Sequence, residues 1–258
     1  MTLDACAAIV ERSDPDRFAA CMAAPLAARA RLLPLYALNV ELARVPWVST
    51  EPMIAEMRLQ WWRDALEEIT SGDSAQGHEV LAPLAEVIRD AALPGDVLDR
   101  LVAARCWDIH RDPFADRAAF DAYLEDTGAG LMWLAARALG APAAAEPVVR
   151  DAGWAMALAG FLCAVPELEA RGRVPLIDGR PQAVAALAGE GLARLRKARA
   201  ARASLPRDAR PALLAGWQTA GLLRLAARDP FRVAEGRLRL SEFARRGGLL
   251  WAALTGRW

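Results

Sequence analysis

The chain has 258 residues, 55% of them hydrophobic, and its 32 basic and 32 acidic side chains balance. That length supports a substantial core, and the even charge excludes a whole-chain field that would draw it to nucleic acid. An Ala-, Leu- and Arg-rich composition with few β-branched runs favours helix almost throughout. Asp4, Glu11 and Asp14 stand where a secretory or transit leader avoids acid, and the longest uncharged run, Ala152 to Pro166, falls short of a membrane span of about 20 residues. The expected location is cytoplasmic. Cys6, Cys21, Cys106 and Cys163 are scattered without a CxxC pair, which predicts buried, reduced thiols.

Apolar residues recur at helical spacing over 16–23, 26–45, 51–71, 78–91, 95–110, 118–139, 147–165, 180–203, 208–226 and 241–255. Breakers separate them. Pro34 predicts a kink, Pro46 the end of the second helix, Ser71-Gly72-Asp73-Ser74 a loop and Pro94-Gly95 a turn. Asp112-Pro113-Phe114 and Gly140-Ala141-Pro142 close two more helices, and 172–181 reads as a loop. No strand-like alternation persists, so the expected fold is all-α: one domain over 1–258, a bundle of about ten helices.

In the helix over 26–45, Leu35, Leu38, Leu42 and Val45 make an apolar stripe and Tyr36, Asn39 and Ala43 the stripe beside it. Glu41 and Arg44 stand at i, i+3, where opposite charges pair. In the next helix Ile54, Met57, Trp61 and Ala65 are the expected core stripe, with Glu56, Gln60 and Arg63 along another face. Trp61 and Trp62 sit directly beside Arg58 and Arg63, and indoles are rare on a wet face. By spacing alone these polar positions suit a walled pocket and a solvated face equally.

Asp108, Asp112 and Asp116 have a four-residue spacing, but Pro113 interrupts it, and a solvated loop is expected. His78 and His110 supply neither a triad nor a zinc site, and His110 reads as a capping or surface residue. Around Tyr123, Gly128 and Gly130 permit close backbone approach. The basic segment Arg194, Arg196, Lys197, Arg199, Arg202, Arg207 reads as a solvated face. The tail from Arg245 to Trp258 has basic ends and an apolar centre. It suits a terminal helix docked with Trp251 inward, or one lying on an anionic membrane surface.

Tyr36-Ala37-Leu38 resembles the start of the first motif of the squalene/phytoene synthase family, Tyr-Ala-Phe-Cys-Arg-x-x-Asp-Asp-x-x-Asp. In register its aspartate positions are Ala43, Arg44 and Trp47. The second motif, Asp-x-x-x-Asp ahead of Arg-Arg-Gly-Arg, falls over 162–173. Arg171-Gly172-Arg173 matches its end, its aspartate positions are Ala164 and Leu168, and Glu167 and Glu169 are adjacent. Asn39-Val40-Glu41-Leu42-Ala43-Arg44-Val45, Ser49-Thr50-Glu51-Pro52-Met53 and Met57-Arg58-Leu59-Gln60-Trp61-Trp62 are similar to the aspartate-lacking branch that includes a mitochondrial complex I assembly factor.

The resemblance implies an isoprenoid-synthase bundle around a central cavity, without the carboxylates that hold Mg²⁺ against prenyl diphosphate. The expected protein is non-catalytic. Its ligand pocket would comprise Tyr36, Asn39, Glu41, Arg44, Glu56, Arg58, Gln60, Trp61, Arg63, Arg171 and Arg173, with no metal ligand and no cofactor. The expected partners are an apolar or isoprenoid-like small molecule or a partner polypeptide in respiratory complex assembly, with peripheral contact at the inner membrane and no nucleic acid. The alternative is an active head-to-head prenyltransferase that binds Mg²⁺ through Glu41, Glu167 and Glu169.

Overall fold

The computed structural model of the protein describes residues 3–48, 51–73, 77–256 and 258. Ser49, Thr50 and Ser74, which belong to two of the motifs and loops above, lie outside the described residues. In order the chain forms α1 (Leu3–Ser13), α2 (Pro15–Ala23), α3 (Leu26–Val48), α4 (Pro52–Ser71), α5 (Leu81–Asp90), α6 (Gly95–Ala103) and α7 (Cys106–Ile109). It continues with α8 (Arg117–Leu124), one π-helical turn (Glu125–Ala129), α9 (Gly130–Ala138), α10 (Glu146–Ala170) and α11 (Pro181–Ala200). A 3₁₀ stretch (Arg207–Gly216) then leads to α12 (Thr219–Arg228), α13 (Phe231–Ala234) and α14 (Glu242–Thr255). No strand occurs among the described residues, and buried side chains from Cys6 to Trp258 form one continuous core.

α3 is the central helix. Every residue from Leu32 to Val40 is buried, and Leu35, Leu38 and Leu42 are fully so. Pro46 does not end it. The proline removes one hydrogen bond near the C-terminus, and the helix runs on to Val48 with Val45 buried beneath it. α1 is an element the sequence reading does not predict, although Cys6, Ile9 and Val10 bury a single i, i+3, i+4 patch.

α4 turns a different stripe inward from the expected one. Ile54, Met57 and Trp61 are exposed, and the core face is Ala55, Leu59, Trp62, Ala65, Leu66 and Ile69. The helix carries two apolar stripes, and the inward one is the longer, running the helix's full length against its neighbours. The segment expected as one helix over 208–226 is split at Gly216–Gln218. Pro211 sits inside its first half, which closes as 3₁₀ turns. Cys6 and Cys21 are buried, whereas Cys106 and Cys163 are exposed, and all four are free thiols.

α10 packs against α11, α9 and the π-helical turn. The stretch Ala143–Ala170 is long and apolar enough to cross a membrane, but 61% of its most apolar window is buried among neighbouring helices, the position of a core helix. Its crossing with the π-helical turn is unusually close. A Cβ at Gly128 would fall 2.2 Å from the Ala157 Cβ, and one at Gly153 would fall 2.6 Å from the Ala129 Cα. Gly130 is not needed in this way, since an added Cβ there meets ordinary contacts of 3.4 Å.

Gly153→Ala therefore has to push backbone from backbone, and it should lower stability in urea unfolding by about 1–3 kcal/mol. Gly247→Ala, on the open side of α14 with nothing within 4 Å of the added carbon, should raise it by about 0.5–1 kcal/mol.

Candidate functional site

A cavity of about 470 Å³ opens between α3 and α10, within the range of small-molecule sites. α3 contributes Asn39, Ala43 and Trp47, one residue per turn. α10 contributes Met156, Ala157, Ala159, Gly160, Phe161, Cys163, Ala164 and Leu168, a wall dominated by small and apolar side chains. Tyr123, Leu124, Thr127 and Gly128 close one side, and Ala215, Gln218, Thr219 and Leu222 the other. The register read from the motifs is thus the register of the cavity: Ala43, Trp47, Ala164 and Leu168 all line it. Arg44, the fifth of those positions, turns away and pairs with Glu41 at 2.8 Å.

The polar end of the cavity is built around Arg105. Its guanidinium donates to Asn39 Oδ1 at 2.9 Å and to the Tyr123 hydroxyl at 3.4 Å, and it pairs with Asp108 Oδ2 at 3.2 Å. Tyr123 donates in turn to Asp108 Oδ1 at 2.9 Å. The Arg105 Nε is buried without a partner. Burial works against the charge on Arg105, but Tyr123 and Asp108 outweigh it and hold its pKa above the ordinary value. Burial, helped by Asp108, pushes the Tyr123 phenol up, so it stays a neutral donor. Behind this network the buried Arg173 donates to the carbonyls of Trp107 and Asp108, with its guanidinium 4.8 Å from the Trp107 ring centre. Trp107 stacks on Phe114 at 4.1 Å, and Phe161 and Tyr123 pack edge-on against the same group.

A magnesium site of the family type does not fit this donor set. Mg²⁺ needs oxygen ligands, preferably carboxylates, and the four motif positions on the cavity wall offer none. The carboxylates that do line the cavity are engaged. Asp14 caps α2 through the Arg17 N–H at 3.0 Å, Asp16 pairs with Arg245 and accepts from Gln218 at 2.7 Å, and Asp108 is held as above. Among the described residues no group of three or more His, Cys, Asp or Glu side chains is placed to hold a metal ion.

The residues predicted as one pocket divide over several places. Asn39 lies in the cavity. Tyr36 is buried beside it, with its hydroxyl donating to the Ala212 carbonyl at 3.4 Å and Arg17 5.1 Å over its ring. Glu41, Arg44, Arg58 and Trp61 line a separate hollow of about 340 Å³ between α3 and α4, with Trp62 and His78. There a hydrogen bond with His78, then the charge of Arg44, holds the Glu41 carboxyl below its ordinary range against the opposing effect of burial. Gln60 and Arg63 face α6, bonded to Asp64 and Asp99 at 2.6 Å each. Glu56 pairs with His110 at 2.9 Å on the surface. Arg171 lies 4.0 Å over the Trp47 ring at the cavity's rim, and Arg173 backs the polar end.

The residues missed are Arg105, Asp108 and the part of the α10 wall before Ala164, whereas the segment from Tyr123 to Gly130 was singled out without its bond to Arg105. Asp108 is not part of a solvated loop: it is buried, while Asp112 is exposed and Asp116 caps α8 through the Ala119 N–H at 2.8 Å. The available signal was the i, i+3 pair of Arg105 and Asp108 beside Trp107.

The family profile described as squalene/phytoene synthase matches residues 10–176. The chain belongs to the squalene/phytoene synthase family. Two solved members of this fold superpose on most of it. A dehydrosqualene synthase does so with a TM-score of 0.82 and 15% identity, covering 96% of this chain and 94% of that one. The squalene synthase HpnC from Alicyclobacillus acidocaldarius does so with a TM-score of 0.75 and 15% identity, covering 89% of this chain and 94% of that one. Two relatives are named as complex I assembly factors. The Drosophila melanogaster homolog of NADH dehydrogenase (ubiquinone) complex I assembly factor 6 is 29% identical over 67% of this chain. The Bos taurus assembly factor 6 is 24% identical over 52% of it. The matches span 53% and 40% of those relatives, about half of their length.

Arg105→Met leaves Asp108 buried without its cation and should cost about 3–5 kcal/mol in chemical unfolding. Adding Asp108→Leu should recover part of that loss, because no buried carboxylate is then left without its arginine.

Proposed function

We propose that this member of the squalene/phytoene synthase family does not condense prenyl diphosphates. It holds an apolar, isoprenoid-like molecule in the cavity and serves the assembly of respiratory complex I. One observation carries the reading: Ala43 and Trp47 on α3 and Ala164 and Leu168 on α10, the positions at which the resemblance calls for carboxylates, line one cavity, and none is acidic. Ionising an allylic diphosphate expels pyrophosphate, a leaving group that needs its developing charge neutralised. Glu41, Glu167 and Glu169, the carboxylates of the alternative reading, are not among the residues that line the cavity. Glu41 faces the hollow beside α4, and Glu167 is spent on Arg171 at 2.5 Å.

The wall of alanine, glycine, leucine and aromatic side chains suits a hydrocarbon chain, and Asn39, Arg105 and Tyr123 offer a polar end for its head. The assembly role is supported by the likeness to the insect and bovine assembly factors.

The chain incubated with farnesyl or geranylgeranyl diphosphate and Mg²⁺ should give no product by mass spectrometry. Protein purified from its own host should release an apolar molecule on solvent extraction. Gly160→Leu should abolish that release while leaving the fold intact, since Gly160 lines the cavity and an added carbon there meets nothing within 4 Å. Mg²⁺-dependent turnover of either diphosphate overturns the reading.

A further inference from the structure

The C-terminal third carries a charge pattern that the cavity does not use. Arg199, Arg202 and Arg224 line a hollow of about 430 Å³ beside α14, and Arg224, Arg228 and Arg239 line an adjoining one of about 550 Å³. Among the described residues Arg202, Arg224, Arg228 and Arg239 have no ion pair, whereas neighbouring Arg194, Lys197 and Arg232 are paired with Glu190, Asp151 and Asp229. Arg199 donates only to the Trp258 carbonyl, at 2.5 Å, and burial together with the charge of Arg224 pushes its pKa down. In a chain whose charges balance, such a concentration of cations repels itself until counter-charge arrives from outside.

α14 borders these hollows and presents the second half of the pattern. Its inner face is fixed: Ala252 is buried, Ser241 caps the first turn, the Trp217 indole donates to the Arg245 carbonyl at 3.2 Å, and Arg245 pairs with Asp16. Its outer face carries Phe243, Leu250, Trp251 and Leu254, with 90%, 61%, 52% and 78% of their surfaces exposed. At 3.6 residues per turn these four fall within an arc of about 100°. Trp251 does not point inward as the sequence suggests. It forms the edge shared by the apolar stripe and the arginine hollow. Arg246, exposed and 3.6 Å from Glu242 in a solvated pair, flanks the stripe on its other side.

We propose that this face docks on an anionic lipid bilayer, with the arginines of α11, α12 and the α14 approach receiving lipid phosphates and the α14 stripe entering the acyl boundary. The apolar groups protrude from the outer side of a surface helix with cations on both flanks, the order in which side chains meet a plane of phosphates and then hydrocarbon. An acidic polypeptide could pair with the arginines, but it would leave the protruding Phe243, Leu250 and Leu254 in water, where a bilayer receives them. The proposal is independent of what the central cavity holds.

The test is co-sedimentation of the full chain with vesicles of phosphatidylcholine alone and of phosphatidylcholine with one-third phosphatidylglycerol. The chain should sediment with the mixed vesicles, weakly with the neutral ones, and less as salt rises. R224S/R228S/R239S should lower the partition coefficient by at least about tenfold, since each juxtamembrane cation is worth about fivefold. L250S/L254S should lower it similarly, and both variants should keep the wild-type circular dichroism. Equal sedimentation with both vesicle types, or wild-type binding by both variants, overturns the proposal. So does capture by soluble polyglutamate without vesicle binding, which assigns the patch to an acidic polypeptide. A dimer that L250S/L254S dissociates, without vesicle binding, likewise overturns it and assigns the stripe to a second copy.

Discussion

The guanidinium of Arg105 is the point at which the bundle is tied together around its cavity. It reaches Asn39 on α3, 66 residues away, Asp108 one turn along the adjoining α7 and Tyr123 on α8, with its own side chain largely shielded from water. A cation so placed is tolerable only when its charge is compensated, and here one carboxylate and two neutral acceptors engage both terminal nitrogens of the guanidinium, leaving Nε alone without a partner. The same residues form the polar end of the cavity, so the interaction that closes the bundle also sets the cavity's chemistry. Arg173 strengthens this from behind by bonding the backbone carbonyls of the short helix that carries Asp108.

From that fixed end the cavity extends between two helices whose facing residues are small. Gly128 and Gly153 let α10 and the π-helical turn approach to backbone contact, which places the α10 wall. Ala157, Gly160 and Ala164 then leave space in front of it. The fold is that of the dehydrosqualene and squalene synthase structures it superposes on. The facing positions of α3 and α10 offer a metal ion no carboxylate, while their largely apolar side chains offer a hydrocarbon chain dispersion contact. Asp16 links this cavity to the surface: it lines the interior and at the same time pins α14 through Arg245.

Much of this was readable from residues alone. The stripe Leu35, Leu38, Leu42 lies fully in the core, and the four motif positions Ala43, Trp47, Ala164 and Leu168 all line one cavity. Both succeed because helical periodicity fixes which side chains share a face. Periodicity does not say which neighbour covers a face. α4 has two apolar stripes, and the exposed one, Met57 and Trp61 included, looked as suitable for the core as the buried one. The predicted pocket scattered for a related reason. Arg44 and Arg63 find carboxylates on their own or an adjacent helix, so they need no shared ligand. Arg105 and Asn39, by contrast, are 66 residues apart, and no local pattern records that they meet.

The account rests on the cavity having the family's shape without its metal-binding carboxylates, and calorimetric titration of Mg²⁺ in the presence of inorganic pyrophosphate addresses that directly. The native chain should give no saturable heat, and a variant carrying Ala43→Asp, Trp47→Asp, Ala164→Asp and Leu168→Asp should bind the ion. Saturable Mg²⁺ binding by the native chain that is unchanged in Gly160→Leu would place a metal elsewhere. Saturable binding that Gly160→Leu abolishes would put the metal in the cavity itself and contradict the central claim.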